Sequence, residues 1–201
     1  MQQPMHPLMQ QRGFTLIELL FGLFLGSILA QMAVPAFKGL LASQQQRSAA
    51  HSLAEGLRLA RTEAITRNRA VIIQAIANDW GQGWQVIVDM SGRGQQDASN
   101  PIVSERQNNG RVTMAGNGPV KSQVRFSGMG EPVFAGGGFR AGTVHICGTD
   151  PAQSLYQVVL APSGRVSLRS EATEQALCRS GTGTVALRAA NEPVAPWASR
   201  T

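Results

Sequence analysis

The sequence predicts an α+β chain in which one long N-terminal helix packs on an antiparallel β-sheet head. Three observations carry that expectation. Residues 14–37 form an apolar run broken by a single charge, Glu18. Ala50, Leu53, Leu57, Ala60 and Ala64 then recur at spacings of three, four, three and four, which is one apolar stripe of a helix. From Val71 onward the period shortens to that of strands, separated by Gly-rich breaks.

The apolar run comes first in the chain. Its 24 residues at about 1.5 Å each make about 36 Å of helix, enough for a hydrocarbon layer of about 30 Å. Glu18 does not fit an ordinary anchor, because an ionised acid in lipid costs about 3 kcal/mol and calls for a partner. A cut after Gly13 would supply one, since the new α-amine of Phe14 would be a cation at the helix start. A conventional secretory signal is a poor alternative. It needs small residues at both −3 and −1 beyond the run, and neither Ile28/Ala30 nor Gln31/Ala33 is small at both. A plain signal anchor would retain Met1.

The polar leader 1–13, then Gly13-Phe14-Thr15-Leu16-Ile17-Glu18-Leu19-Leu20, resembles the class III signal of type IV pilins and type II secretion pseudopilins. The resemblance implies cleavage by a prepilin peptidase between Gly13 and Phe14 and N-methylation of Phe14. It also gives Glu18 a role in assembly with other pilins or pseudopilins, through pairing with an N-terminal amine. Pro35 becomes the helix-kinking proline of that family, and it also removes a backbone donor and clashes with the carbonyl of Gln31. Gly22 and Gly26 form a small-xxx-small pair that lets a neighbouring helix approach.

The amphipathic half of the helix follows, over 38–69. Its alanine-rich stripe is too small for an isolated coiled coil and suits packing on a sheet of the same chain. The formal charge of +6 concentrates here: residues 38–69 hold six basic and two acidic groups, whereas 70–140 and 141–201 are each only +1. A solvated helical face accounts for this, with attraction to anionic lipid or acidic partners as the second reading.

The head is expected over 70–190, a single domain large enough to bury a core. Strands are expected at 71–76 and 84–88 around a turn at 78–83, and then near 102–103, 111–114, 124–126, 143–147, 156–160 and 165–169. Ala161-Pro162-Ser163-Gly164 between the last two is a hairpin signal. The tail 191–201, with Pro193 and Pro196, is expected to be loosely held. Cys147 and Cys178 lie in the part expected to be exported, where an even count favours a disulfide, with free buried thiols as the alternative.

Gly83-Trp84 with Gln-Val-Ile-Val-Asp, Phe126 with glycines after it, Ile146-Cys147 and Ser163-Gly164-Arg165-Val166 resemble the GspH/FimT family of minor pilins and pseudopilins. The implied fold is pilin-like and the implied role is structural. The chain would be a subunit of a type II secretion pseudopilus or a type IV pilus, near the fibre tip. It would be held in the bacterial inner membrane by residues 14–37 with its head in the periplasm. Some members of the family bind DNA for uptake through a late Gly-Arg-x-Arg motif. Here Ser167 replaces the second arginine, and Arg169 shares a strand face with Arg165, so DNA binding through Arg165 and Arg169 is the alternative function.

Enzyme chemistry has no foothold. No nucleophile elbow, phosphate loop, zinc spacing or paired carboxylates are present, so no catalytic residue, cofactor or metal is assigned. The segment 89–94 with Asp97 has the outline of a calcium loop, but Arg93 stands where a fifth-position oxygen ligand belongs.

Overall fold

The computed structural model describes residues 15–93, 97, 99–148 and 153–179, without the side chains of 32, 33, 35 and 36. The leader, Phe14 and the tail 191–201 lie outside these residues. Two compact units divide at Met1–Ser43 and Gln44–Thr201.

One helix, α1 (Leu16–Arg67), enters both units. In the first unit it is set by its N-cap. The Thr15 hydroxyl accepts the Glu18 N–H at 3.3 Å, and the Thr15 carbonyl accepts the Leu19 N–H at 3.2 Å, which satisfies donors that a helix start leaves open. The helix passes through Pro35. At its far end Asn68 takes a left-handed φ of 46°, and the Arg69 N–H bonds the Ala64 carbonyl, closing the last turn as C-caps do.

In the second unit the chain continues as β1 (Val71–Ala75), β2 (Gly83–Val88), β3 (Ile102–Gln107), β4 (Met114–Gly116), β5 (Gln123–Phe126), β6 (Pro132–Val133), β7 (Gly142–Cys147), β8 (Gln153–Leu160), β9 (Val166–Arg169) and β10 (Thr173–Glu174), then a short α2 (Ala176–Arg179). The expected antiparallel head is present, and its strands divide between two sheets. One runs β3-β2-β1-β5-β6; the other runs β10-β8-β7-β4, with β9 also on β8.

Register explains which residues form the core. Val71 faces Val88 and Phe126, and Ile73 faces Val86 and Val124, so every second residue of the first sheet lies on one apolar face. In the second sheet Val144 faces Val158, and Leu160 faces Val166. Both faces and the α1 residues Ala50, Leu53, Leu57, Ala60 and Ala64 belong to one buried cluster. A sheet face and a helical stripe each need such a partner to leave water.

The strand expected at 111–114 is displaced. Asn109 and Gly110 take left-handed φ values of 55° and 66°, and Gly110 donates to the Gly81 carbonyl. That segment is spent on a turn, and pairing with β7 begins at Met114. The hairpin at 161–164 forms as expected: Ala161 N–H bonds the Arg165 carbonyl, Gly164 N–H bonds the Ala161 carbonyl, and Gly164 has φ of 77°.

Candidate functional site

Two parts of the chain are arranged for a task, and each is described within its own unit. In the first, the described side chains from Leu16 to Phe37 are exposed on every side of the helix, Leu16, Phe21, Phe24 and Leu29 among them. Glu18 is the acidic residue of the first turn. A carboxylate there interacts favourably with the positive end of the helix dipole. Gly13 and Phe14 lie outside the described residues, so the structure bears on neither cleavage nor methylation. Among the described residues no helix is long and apolar enough to cross a membrane. The run read in the sequence from 14 to 37 includes 14, 32, 33, 35 and 36, whose side chains are not described.

The second part is the anchorage of α1 in the head. Every residue of the expected stripe is buried. Its small side chains bring the helix onto the first sheet so closely that a Cβ on Gly56 would stand 2.8 Å from the Trp84 ring. Arginines beside the stripe then fix the register. Arg61 donates through Nε to the Gly130 carbonyl at 3.0 Å and through Nη2 to the Ser163 carbonyl at 3.3 Å. Gly130 lies in the turn after β5 and Ser163 in the β8–β9 hairpin, so one guanidinium joins the helix to both sheets. Arg58 donates to the Val166 carbonyl and Gln46 to the Cys147 carbonyl, each at 3.3 Å.

Gly164 completes this junction. A Cβ there would lie 2.2 Å from the Gly130 carbonyl oxygen and 2.8 Å from Arg61 Nε. Left-handed backbone and close approach both require glycine at that tip. Beyond it, Arg165 and Arg169 are exposed while Val166 is buried, so the two arginines share the outward face of the hairpin strand.

Cys147 and Cys178 form a disulfide that ties β7 to α2, with Cα atoms 5.4 Å apart. Beside it stands a buried polar network. Gln175 donates its amide to His145 Nε2 at 3.1 Å, and His145 Nδ1–H then donates to the Ser154 hydroxyl at 3.2 Å. Ser154 in turn donates to the Tyr156 carbonyl and receives the Gln157 amide. This pattern assigns the Nδ1–H tautomer, and burial pushes the imidazole below its ordinary pKa of 6.5.

The segment with the outline of a calcium loop is used differently. The buried carboxylate of Asp89 pairs with Arg125. Asp97 is held below the usual carboxylate range by the Ser99 hydroxyl, the Ser91 hydroxyl and the Ser99 N–H. Among the described residues no group of three His, Cys, Asp or Glu side chains is placed to hold a metal ion.

A family model described as "Type II transport protein GspH" matches residues 49–164, more than half of the chain. The chain belongs to the GspH family. A second family model, the "Prokaryotic N-terminal methylation motif", matches residues 8–33. Together they make this GspH-family chain a structural subunit of the pilin and pseudopilin kind, and the motif implies prepilin peptidase processing and assembly with other pilins. Two crystal structures of the Pseudomonas aeruginosa (strain PAO1) type IV minor pilin FimU are similar to it. One, in space group P21, is 25% identical over 66% of this chain and 96% of that chain, with a TM-score of 0.47. The other, in P65, is 26% identical over 64% and 98%, with a TM-score of 0.46. Comparison with curated proteins gives no match.

Several residues that organise the GspH-family head were not evident from the sequence. Arg58 and Arg61 read as part of a solvated charged face, yet their guanidinium groups bind carbonyls of the second sheet and of the β5–β6 turn. Gly56, set between the buried Leu53 and Leu57, was the available signal of a close helix–sheet approach. Trp80 read as a turn residue. It is buried, and its indole N–H donates to the Val120 carbonyl at 3.0 Å.

Proposed function

We propose that this GspH-family chain is a minor pilin or pseudopilin that is cut between Gly13 and Phe14, methylated on Phe14, and assembled through its N-terminal helix. Residues 14–37 form the single inner-membrane span, Pro35 bends it, and the head lies in the periplasm before incorporation near the tip of a pilus or pseudopilus. The observation that carries this reading is the exposed apolar surface of α1 between Leu16 and Phe37, headed by one carboxylate in its first turn. In water such a surface is strongly disfavoured. Lipid covers it before assembly, and the helices of neighbouring subunits cover it afterwards.

Glu18 is the register element in this reading. Its carboxylate costs about 3 kcal/mol in lipid. An N-terminal amine, its own or that of the adjoining subunit, offsets that cost and is available only after cleavage. Glu18→Ala is expected to insert and be processed normally but to be absent from sheared fibres. Normal incorporation of that variant overturns the role. Intact mass of the membrane-extracted protein checks processing, and retention of Met1 refutes the cleavage.

A second reading, DNA uptake, has one observation in its favour: Arg165 and Arg169 are exposed on the outward face of β9 and its hairpin. Their neighbours Arg58 and Arg61 are occupied with carbonyls. On this reading the head retards DNA at low salt, and Arg165→Ala with Arg169→Ala abolishes the shift. No shift at low salt refutes it.

A further inference from the structure

Arg140 is a buried cation that the head leaves without an anion, and the path of the chain explains how it comes to be buried. β6 is the last strand of the first sheet, and beyond it the chain turns back on itself. Phe134 N–H bonds the Gly138 carbonyl and Gly137 N–H bonds the Phe134 carbonyl. Phe139 then bridges back to Val133, and Arg140 N–H bonds the Pro132 carbonyl. Gly137 and Gly138 take left-handed φ values of 89° and 84°, and a Cβ on Gly136, Gly137 or Gly138 would meet nothing within 4 Å. A loop turned by glycines with nothing packed on it opens at little cost. Because side chains alternate, Phe134 and Arg140 fall on one side of this hairpin, and Val133 and Phe139 on the other.

Arg140 is only 9% exposed. Its Nη1 donates to the Gln123 carbonyl at 2.8 Å, and its Cζ stands 4.4 Å from the centre of the Phe134 ring. Those contacts use one nitrogen and one face of the guanidinium. Its Nε is buried with no acceptor, and among the described residues the ion pairs are Glu63–Arg67 and Asp89–Arg125, so no carboxylate meets Arg140. Burial pulls its pKa down, a shift that a neighbouring carboxylate would oppose. An arginine stays charged all the same, and a buried charge without a counter-charge is costly. The part left over is the Nε–Nη2 edge, the side on which a carboxylate binds an arginine through two parallel N–H bonds.

We propose that the hairpin 132–140 is a docking site for an acidic segment of another protein. Phe134 swings outward on its glycine loop, an Asp or Glu carboxylate of the partner takes the Nε–Nη2 edge of Arg140, and an apolar side chain beside that carboxylate packs on the displaced ring. The two phenylalanines of the hairpin already stand in water, Phe134 39% and Phe139 64% exposed. One arginine among aromatic side chains suits a protein partner, since both types are enriched where interfaces are driest and strongest. Lipid headgroups and nucleic acids are held by several cations together, and Arg125, opposite Val133, is already paired with Asp89. The site lies wholly in the head and depends on neither the membrane span nor DNA binding.

The test is a nitrogen–proton NMR titration of the full chain in zwitterionic detergent micelles with the disulfide intact. The probe is the peptide acetyl-Phe-Glu-Phe-amide, and acetyl-Phe-Gln-Phe-amide is its match without the charge. The glutamate peptide is expected to shift the Arg140 Nε–H and the Phe134 and Gly138 amides saturably below about 10 mM, and to bind about tenfold or more tighter than the glutamine peptide. Arg140→Lys keeps the charge but not the two-pronged edge; by the same two amides it is expected to bind the glutamate peptide about tenfold or more weakly. The two peptides on the unaltered protein decide the matter even if that variant fails to fold. No saturable shift, or equal affinity for the two peptides, overturns the proposal. So does tighter binding of inorganic phosphate, or of phosphatidylglycerol added to the micelles, since the site would then serve a phosphate.

Discussion

Gly164→Ala tests the junction that joins α1 to both sheets. The φ of 77° at this position costs an alanine about 1–2 kcal/mol. The new Cβ would also lie 2.2 Å from the Gly130 carbonyl oxygen, a backbone atom that cannot rotate away, and such overpacking adds about 1–3 kcal/mol. The expected loss is about 3 kcal/mol, or about 10 °C in Tm for a domain between the sizes usually tabulated. Thermal and urea unfolding of the head from Gln44 onward measures it. Gly136→Ala is the control, because its Cβ meets nothing within 4 Å and no left-handed φ is involved; it is expected to change stability by no more than about 0.5 kcal/mol. Arg61→Ala removes the bonds to Gly130 and Ser163 and is expected to cost about 2 kcal/mol for a half-exposed charged donor. Because Gly164→Ala already displaces the Gly130 carbonyl, the double variant should lose about 1 kcal/mol less than the sum. A Gly164→Ala protein as stable as the Gly136→Ala control, or strict additivity with Arg61→Ala, refutes the three-way junction.

Gly56→Ala sets two effects against each other. Better helix propensity contributes about 1 kcal/mol, but a Cβ 2.8 Å from the Trp84 ring forces the helix off the sheet, so a net loss of about 1–2 kcal/mol in urea unfolding is expected. Replacing Cys147 and Cys178 by serine removes a cross-link spanning 31 residues and is expected to cost about 3–4 kcal/mol, read as a lower urea midpoint. His145 sets a pH dependence. Its folded-state pKa lies below the unfolded 6.5, so the unfolded chain binds the proton first. Stability is full above about pH 6.5 and falls as pH drops toward the folded value, by up to about 1.4 kcal/mol per pH unit. His145→Gln should flatten this limb of the stability–pH curve, and an unchanged limb would show that another group is responsible.

The parts of this molecule that were legible in the sequence are those where one periodicity governs one surface. The stripe at Ala50, Leu53, Leu57, Ala60 and Ala64 is buried throughout, and α1 ends at Arg67, within one turn of its last residue. Val71 to Val88 alternate as two facing strands, and Ala161 to Gly164 make the hairpin. What escaped the sequence depends on contacts between distant segments. Strand β6 has two residues, one of them a proline, and β10 has two; both exist only because a neighbouring strand accepts them. Strand β3 extends through Ser104, Glu105, Arg106 and Gln107, polar residues with no apolar alternation, since an edge strand can form on backbone bonds to β2 alone. The division into two sheets follows from which strands pair, and local pattern carries no such information. Two residues of the N-terminal run stand out in the sequence for the opposite reason. Glu18 and Pro35 break the pattern around them, and a charge or an imino acid inside an apolar run is visible without any tertiary contact.

The same contrast explains how one helix serves two surroundings. Within the head its contact face is mostly alanine, which buries little area but permits close approach, so Leu53 and Leu57 supply most of the apolar gain at about 2–3 kcal/mol each. Hydrophobic burial of that kind is non-directional and would tolerate a helix rotated or slid by a turn. The directional bonds from Gln46, Arg58 and Arg61 to carbonyls of both sheets remove that freedom. Toward its N-terminus the exposed large side chains of the helix, Leu16, Phe21, Phe24 and Leu29 among them, fit any apolar surroundings equally. On the proposed function, in which this segment leaves lipid and packs against other helices, it needs this indifference together with one group that is not indifferent. Glu18 is the only charged residue from Leu16 to Phe37, so on that proposal register in the fibre comes from what its carboxylate meets.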